Sequence, residues 1–151
     1  MSYVRRMDHV GINVVDLDAA VEFFSILGFE IQGKAHMSGE FVESIIDLPH
    51  VDDDLVMMRT PDGSGAVELV QFHSPLDPAG PEISPANRLG IRHLCFEVED
   101  LSGLLKALGD KGFEPMGQVR DYEDIWRMCY LRGPEGLIVE LSERLQSSTK
   151  S

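Results

Sequence analysis

The sequence predicts an α+β fold in which one βαβββ module occurs twice. Residues 7–30 align with residues 91–114 without a gap, and this alignment places His9 on His93. A second match places "TPDGSGAVEL" on "RGPEGLIVEL" near the end of each copy. In both copies apolar residues first alternate with polar ones, as in a strand, and then recur at helical spacing. Because a repeated unit determines the whole architecture, the repeat is the primary evidence for the fold.

Each copy begins with a strand, in "DHVGINV" and "RHLCFEV", whose alternation puts the histidine opposite the more apolar face. A helix follows in each copy and ends at Gly28 or Gly112. Its N-cap is Asp16 or Asp18 before "AAVEFFSIL", and Asp100 or Ser102 before "LLKALGDK". Three further strands complete each copy. We predict them at residues 30–37, 55–60 and 66–72, and at residues 114–120, 126–132 and 137–142.

The pattern divides the chain into residues 1–72 as the first module, 73–90 as a linker, 91–143 as the second module and 144–151 as a polar tail. The predicted linker holds four of the eight prolines.

The first copy contains extra residues around "FVESIIDLPHVDDD". Phe41, Ile45 and Leu48 recur at helical spacing there, which predicts a short helix that either caps a cavity or, more often for such a pattern, fills core. The aspartates of "VDDD" are expected in a solvated turn.

Composition excludes two classes of partner. A formal charge of −13 and a pI near 4.6 oppose binding to nucleic acid or to an anionic membrane surface. No apolar stretch is long enough for a membrane span. Cys95 and Cys129 both lie in apolar segments, so we expect reduced, buried thiols and a cytoplasmic protein.

Two glutamates interrupt apolar strands at equivalent places, Glu68 in "AVELVQF" and Glu140 in "LIVELSE". A lone strand glutamate ordinarily faces solvent, but here the histidines His9 and His93 are repeated as well. Two imidazoles and two carboxylates suit one divalent ion, namely Zn, Ni, Co, Fe, Mn or Mg. The other histidines, His36, His50 and His73, have no counterpart in the repeat and are predicted to be surface or loop residues.

The segments "DHVGINVVDLDAAVEFF", "RTPDGSGAVELVQF", "RHLCFEVEDL" and "YLRGPEGLIVELSE" resemble the vicinal oxygen chelate superfamily, which includes glyoxalase I, extradiol dioxygenases and bleomycin-resistance proteins. The resemblance implies paired βαβββ modules that form a cup-shaped mixed sheet, the vicinal oxygen chelate fold, often in a homodimer. It also implies that His9, Glu68, His93 and Glu140 are metal ligands and that Glu140, or its counterpart Glu68, transfers a proton.

The function that this resemblance implies is that of a metal-dependent lyase or isomerase of the glyoxalase I type. Such an enzyme acts on a small oxygenated substrate through metal-chelated enediolate chemistry. Phe72 stands where glutathione-dependent bacterial relatives usually carry Asn, so methylglyoxal detoxification is not the expected reaction. Two alternatives stay open, a non-catalytic antibiotic- or metabolite-binding protein and an Fe(II) extradiol-type dioxygenase. The sequence leaves open the substrate, the choice of metal, and whether the ion lies within one chain or between two.

Overall fold

The computed structural model describes residues 1–146, and the chain divides into two compact units between Pro81 and Glu82. This boundary lies inside the predicted linker 73–90, whose first residues belong to the last strand of the first unit. The predicted polar tail begins at the end of the last strand, and its residues 147–151 lie outside the described residues.

The first unit is a βαβββ module with a short inserted helix. Its elements are β1 (Val10–Asn13), α1 (Leu17–Ile26), β2 (Glu30–Ser38), α2 (Glu40–Ile46), β3 (Asp52–Arg59) and β4 (Ala66–Ser74). The strands form one mixed sheet in the order β1-β4-β3-β2, in which β1 pairs with β4 in parallel and the other pairs are antiparallel.

The second unit repeats this plan without the inserted helix. Its elements are β5 (His93–Val98), α3 (Leu101–Gly109), β6 (Arg120–Tyr122), β7 (Trp126–Arg132) and β8 (Ile138–Arg144). The sheet order β5-β8-β7-β6 matches that of the first unit, again with a parallel pair formed by the first and last strands. The α+β class and the two predicted βαβββ modules are therefore confirmed.

An aspartate caps the N-terminus of each long helix, and the two aspartates lie at equivalent positions of the repeat. Asp16 accepts a hydrogen bond from the amide of Ala19 at 3.0 Å, and Asp100 accepts one from the amide of Gly103 at 2.9 Å. These are the N-cap bonds that the sequence predicts for short polar residues at a helix start.

The last strand of each unit adds a second bond to the same helix end. Gln71 Oε1 accepts from the amide of Leu17 at 3.1 Å, and Glu143 Oε2 accepts from the amide of Leu101 at 3.2 Å. Each helix is thus attached to the strand that carries the glutamate of interest.

Apolar side chains on one face of each sheet form its core with the long helix. In the first unit Phe23 and Phe24 of α1 are almost fully buried, as are Val67 and Leu69 of β4. The Phe24 ring makes edge-to-face contacts with the rings of Phe23 and Phe29. In the second unit the most deeply buried residues are Leu101, Leu108, Leu131, Val139 and Leu141.

Two predictions about strands are wrong. A continuous strand at residues 114–120 is replaced by an isolated bridge between Pro115 and Leu131 and by the three-residue β6. The physical reason is local, since Pro115 lacks an amide hydrogen for a sheet ladder and Gly117 has no side chain to pack. The aspartates expected in a solvated turn instead begin β3, where Asp53 is buried between paired strands.

The inserted helix α2 forms as predicted, but it does not fill core with its apolar face. Phe41, Ile45 and Leu48 are exposed, and only Val42 of this helix is buried. The core-filling prediction is therefore wrong. The helix has only seven residues, and it is attached to the unit by buried Val42 and by a hydrogen bond of 3.0 Å from the Val51 amide to Glu43 Oε1.

No helix in residues 1–146 has the length and apolar character needed to cross a bilayer.

Replacement of Phe24 by Ala tests the core. We expect Phe24→Ala to lower the free energy of unfolding by about 3–5 kcal/mol, because truncation of a buried aromatic ring leaves a cavity. Phe41→Ala is the matched control, since this ring is 70% exposed and surface truncations change stability by less than about 0.5 kcal/mol. Urea unfolding followed by circular dichroism measures both values, and equal effects would contradict the assigned core.

Candidate metal-binding site

In the first unit the parallel pairing of β1 with β4 brings His9 to Glu68. His9 directly precedes β1, and Gly11 two residues later lies opposite Glu68 in the register. As a result His9 Nε2 lies 3.8 Å from Glu68 Oε2. The two side chains are therefore neighbours on one face of the sheet.

The other ring nitrogen of His9 is held by a carboxylate. His9 Nδ1 lies 2.8 Å from Asp8 Oδ2, and this hydrogen bond lowers the pKa of the Asp8 carboxyl. A carboxylate at Nδ1 favours the tautomer in which Nδ1 carries the hydrogen, so Nε2 presents its lone pair towards Glu68. Asp8 is not among the predicted site residues, although its position next to a candidate ligand is a usable sequence signal.

The second unit contains the same pair at the equivalent positions. His93 is the first residue of β5, and Cys95 lies opposite Glu140 just as Gly11 lies opposite Glu68. His93 Nε2 lies 3.2 Å from Glu140 Oε2. Each unit therefore brings together one predicted histidine and one predicted glutamate.

Glu68 and Glu140 are not ordinary solvent-facing strand residues. Their side chains are 28% and 17% exposed, respectively. In β4 the neighbours of Glu68, Val67 and Leu69, belong to the buried core face, so alternation turns Glu68 to the opposite face. Within neither unit do three or more of the described His, Cys, Asp and Glu side chains form a group arranged to hold an ion.

The surroundings of Glu140 are polar. Ser142 Oγ lies 3.4 Å from Glu140 Oε1 and donates a hydrogen bond to it. Tyr130 lies opposite Glu140 in the antiparallel register, and its ring contacts the His93 ring edge-to-face with centroids 5.0 Å apart. Burial, followed by the charge of Glu140, raises the pKa of Tyr130.

The contact between Tyr130 and His93 identifies the face of β7 that lies beside the histidine–glutamate pair. Of the two faces of β7, the one with Trp126, Met128 and Tyr130 is the face shared with Glu140. In the first unit the residue opposite Glu68 is Met57. The two pairs thus have different neighbours.

Both cysteines are free thiols, as predicted, but only Cys129 is buried. Cys95 is exposed and its sulfur lies 3.7 Å from Ser142 Oγ, close to the Glu140 pair. The predicted burial of Cys95 is wrong because its strand turns it to the same face as His93. Partial burial nevertheless raises the pKa of the Cys95 thiol.

Asp53 is a further residue that sequence analysis missed, because it was assigned to a turn. It lies on the Glu68 face of β3, is 3% exposed, and its Oδ1 has no hydrogen-bond partner among the described residues. Burial first, and then the charge of Glu68, raise the pKa of Asp53. The chain therefore keeps a buried carboxyl group on the same face as a candidate ligand.

The chain matches the model of the Glyoxalase/Bleomycin resistance protein/Dioxygenase superfamily over residues 8–130. It is 36% identical to a glyoxalase family protein from Bacillus cereus, with a TM-score of 0.92 over 96% of this chain and 97% of that one. A glyoxalase family protein from Enterococcus faecalis is 28% identical, with a TM-score of 0.62 over 94% and 100% of the two chains.

Glyoxalase I from Zea mays shares the fold at 18% identity and a TM-score of 0.67, over 93% of this chain and 45% of the maize chain. No curated protein matches the chain. The family match and the Bacillus cereus structure establish that the chain belongs to the Glyoxalase/Bleomycin resistance protein/Dioxygenase superfamily. This superfamily is the one that the sequence resembles, and it includes enzymes such as glyoxalase I.

Thiol labelling tests the placement of the two cysteines. We expect one thiol per folded chain, Cys95, to react with Ellman's reagent at pH 8, and two to react in guanidinium chloride, because Cys129 is only 3% exposed. Cys95→Ser should abolish the reaction of the folded protein, whereas Cys129→Ser should leave it unchanged. Two reactive thiols or none in the folded state would contradict the described exposures.

Proposed function

We propose that this protein is a divalent-metal-dependent, glyoxalase-like lyase or isomerase that acts on a small oxygenated substrate. The observation that supports the proposal most strongly is the repeated histidine–glutamate pair. In both modules a ring Nε2 faces a carboxylate at 3.2–3.8 Å, at positions that the parallel strand register makes equivalent.

The donor set fits a divalent ion. His9, Glu68, His93 and Glu140 would hold it, with two imidazole nitrogens and two carboxylates that suit Zn, Ni, Co, Fe, Mn or Mg. The hydrogen bond from His9 to Asp8 supports this assignment, because it is the arrangement found behind metal-bound histidines. When bound, the ion would act as a Lewis acid on the substrate oxygens.

We assign proton transfer next to the substrate carbonyl to Glu140, with Glu68 as the alternative. Glu140 has the Ser142 hydroxyl on one of its carboxylate oxygens, and Tyr130 and Cys95 lie directly across the sheet from it. These hydrogen-bonding groups can orient the carboxylate and receive or supply a proton. The cross-strand neighbours of Glu68 are Gly11, which has no side chain, and Met57, whose thioether can neither donate a hydrogen bond to the carboxylate nor transfer a proton.

The shared face of β7 supplies candidate substrate contacts beside this carboxylate. Trp126, Met128 and Tyr130 present two aromatic rings and a thioether there. Such a surface binds the apolar part of a small molecule, while the phenol can hydrogen-bond to an oxygen. This surface suits a small ketone or hydroxyketone better than it suits a highly charged substrate.

Metal content tests the first part of the proposal. After loading of the untagged protein with Ni²⁺ or Zn²⁺ and exhaustive dialysis, we expect about one retained ion per chain by plasma mass spectrometry. His9→Ala and His93→Ala should each lower this content strongly, because each removes one of two nitrogen donors. His50→Ala is the matched control and should retain the ion.

Alkylation of Cys95 gives a second readout of the same site. A bound ion at Glu140, its cross-strand neighbour, should change the rate at which this thiol reacts, because a nearby cation favours the reactive thiolate. If the loaded protein retains no ion and the His9 variant behaves like wild type, the enzyme proposal fails and a non-catalytic metabolite-binding protein becomes the better interpretation.

Exchange of substrate protons tests the assignment of Glu140. Hydroxyacetone is a suitable probe because it carries vicinal oxygens, and its CH₂ protons exchange with D₂O at a rate that NMR measures. We expect Glu140→Gln to reduce the protein-catalysed exchange about 10²–10⁴-fold, since the amide keeps the shape but cannot carry the proton.

Glu68→Gln is the matched variant and should reduce the exchange less, provided that both variants retain the ion. The reverse order would assign proton transfer to Glu68, and equal loss without loss of metal would exclude a single carboxylate base. Oxygen uptake with a catechol by the Fe(II)-loaded protein would instead indicate dioxygenase activity. A homodimer stays a prediction, which light scattering can test.

A further inference from the structure

A cluster of two histidines and two aspartates, the His–Asp cluster, lies away from the candidate site in the first unit. It consists of His36 in β2, Asp52 and Asp54 in β3, and His73 in β4. In the strand register His36 lies opposite Asp54, whereas Met57, three residues further along β3, lies opposite Glu68. Residues an odd number apart point to opposite faces of a sheet, so the cluster and Glu68 occupy different faces.

Asp54 joins the two histidines. Its Oδ1 lies 2.8 Å from His36 Nδ1 and its Oδ2 lies 2.7 Å from His73 Nε2. These two hydrogen bonds, first from His73 and then from His36, lower the pKa of Asp54, and the bond to Asp54 raises the pKa of His36. Both carboxylate oxygens are thus used to hold the rings.

A β-bulge places His73 in this arrangement. Asp53 pairs with Phe72 and Asp52 pairs with Ser74, so His73 is the extra residue between two paired positions. An extra residue interrupts the alternation of the strand and redirects its side chain. The bulge is therefore the feature that allows His73 to reach Asp54 from the neighbouring strand.

The free side of the His36 ring faces a second carboxylate. His36 Nε2 lies 3.9 Å from Asp52 Oδ2, while its Nδ1 is hydrogen-bonded to Asp54. His9 has the same geometry, with Nδ1 2.8 Å from Asp8 and Nε2 3.8 Å from Glu68. The first unit thus contains two histidines, one just before β1 and one in β2, whose Nδ1 lies near one carboxylate and whose Nε2 faces another.

We propose that His36 and Asp52 form a second, weaker binding site for a first-row divalent cation such as Zn²⁺ or Ni²⁺. His36 Nε2 and the Asp52 carboxylate are the two protein ligands, and water fills the remaining positions. Asp54 is a positioning residue that fixes the His36 tautomer, and His73 in turn fixes Asp54. The proposal is independent of the proposed function, because none of these residues belongs to the repeated pairs.

The exposure and charge of the cluster support such a site. The four side chains are 44–54% exposed, so the ligands are accessible and a small rotation can close the 3.9 Å gap around an ion. Asp52 and Asp54 place two carboxylates on this face at the start of β3.

Competition with protons sets the expected pH dependence. An ion at His36 Nε2 must displace the proton that this nitrogen carries when the ring is charged. Binding of the ion should therefore weaken as the pH falls, because protons compete with it for this nitrogen.

The experiment uses full-length, untagged protein with His9→Ala and His93→Ala, which removes the candidate ligands of the main site. Zn²⁺ is titrated at pH 7.5 and followed by equilibrium dialysis and by long-range ¹H–¹⁵N spectra of the imidazole rings. We expect one dialysable ion per chain and a shift of the His36 Nε2 resonance. Added His36→Ala or Asp52→Asn should reduce the affinity at least 10-fold.

Two further variants separate a specific site from general attraction to acidic surface. Asp54→Asn should weaken binding about 10–100-fold, as loss of a residue that orients a metal-bound histidine does. His50→Ala removes a histidine outside the cluster and should change nothing. Circular dichroism confirms that each variant is folded. If His36→Ala is not folded, His36→Gln takes its place.

Unchanged affinity in the His36 and Asp52 variants, or equal loss in the His50 variant, would overturn the proposal. Because the main-site histidines are already absent, failure of this test leaves the proposed function untouched. Conversely, loss of metal from the main site does not affect the count of ions at the His–Asp cluster.

Discussion

Both histidine–glutamate pairs depend on the register of the parallel strand pairs. Gly11 faces Glu68 in one unit and Cys95 faces Glu140 in the other, and this places each histidine beside its glutamate. A slip by one residue would turn the glutamate to the opposite face. Since β1 has only four residues, its own ladder is short, and the bond from the Leu17 amide to Gln71 adds a second attachment to β4. The equivalent bond to Glu143 does the same in the second unit.

The sequence predicted the features that depend on the repeat. Equivalent positions in two copies of one module indicated the element order, the helix caps and four candidate ligands. In the structure His9 lies beside Glu68, and His93 lies beside Glu140. Features that break the repeat were not predictable, because each depends on strand partners that periodicity does not identify. The bulge at His73 exists only through the pairing of β3 with β4, and Asp53 is buried only because its strand lies between two others. A run of three aspartates is otherwise a strong signal for an exposed turn.

The two units share a backbone plan but differ in the residues around their histidine–glutamate pairs. Asp8 hydrogen-bonds to His9, whereas the equivalent residue in the second copy is Arg92, which donates to Ser84 and to a backbone carbonyl. Across from the glutamates, Met57 in one unit corresponds to Tyr130 in the other. The first unit thus has an imidazole, His9, that is hydrogen-bonded to a carboxylate. The second unit has a carboxylate, Glu140, that lies beside the hydroxyl groups of Ser142 and Tyr130.

The segment after Pro81 has a consequence for how the chain can be divided. Ser84 is buried, its hydroxyl accepts from Arg92 at 2.7 Å, and its carbonyl accepts from Arg132 at 2.9 Å. Gly136 has a φ of 85°, and a Cβ there would lie 2.5 Å from the carbonyl oxygen of Glu82. The segment that begins at Glu82 is therefore part of the packed structure of the second unit, although it precedes the repeat. A fragment designed to fold as the second unit should therefore begin at Glu82. A fragment that begins at residue 91, where the repeat starts, would lack Glu82 and Ser84. Arg92, Arg132 and Gly136 would then lose their contacts with this segment.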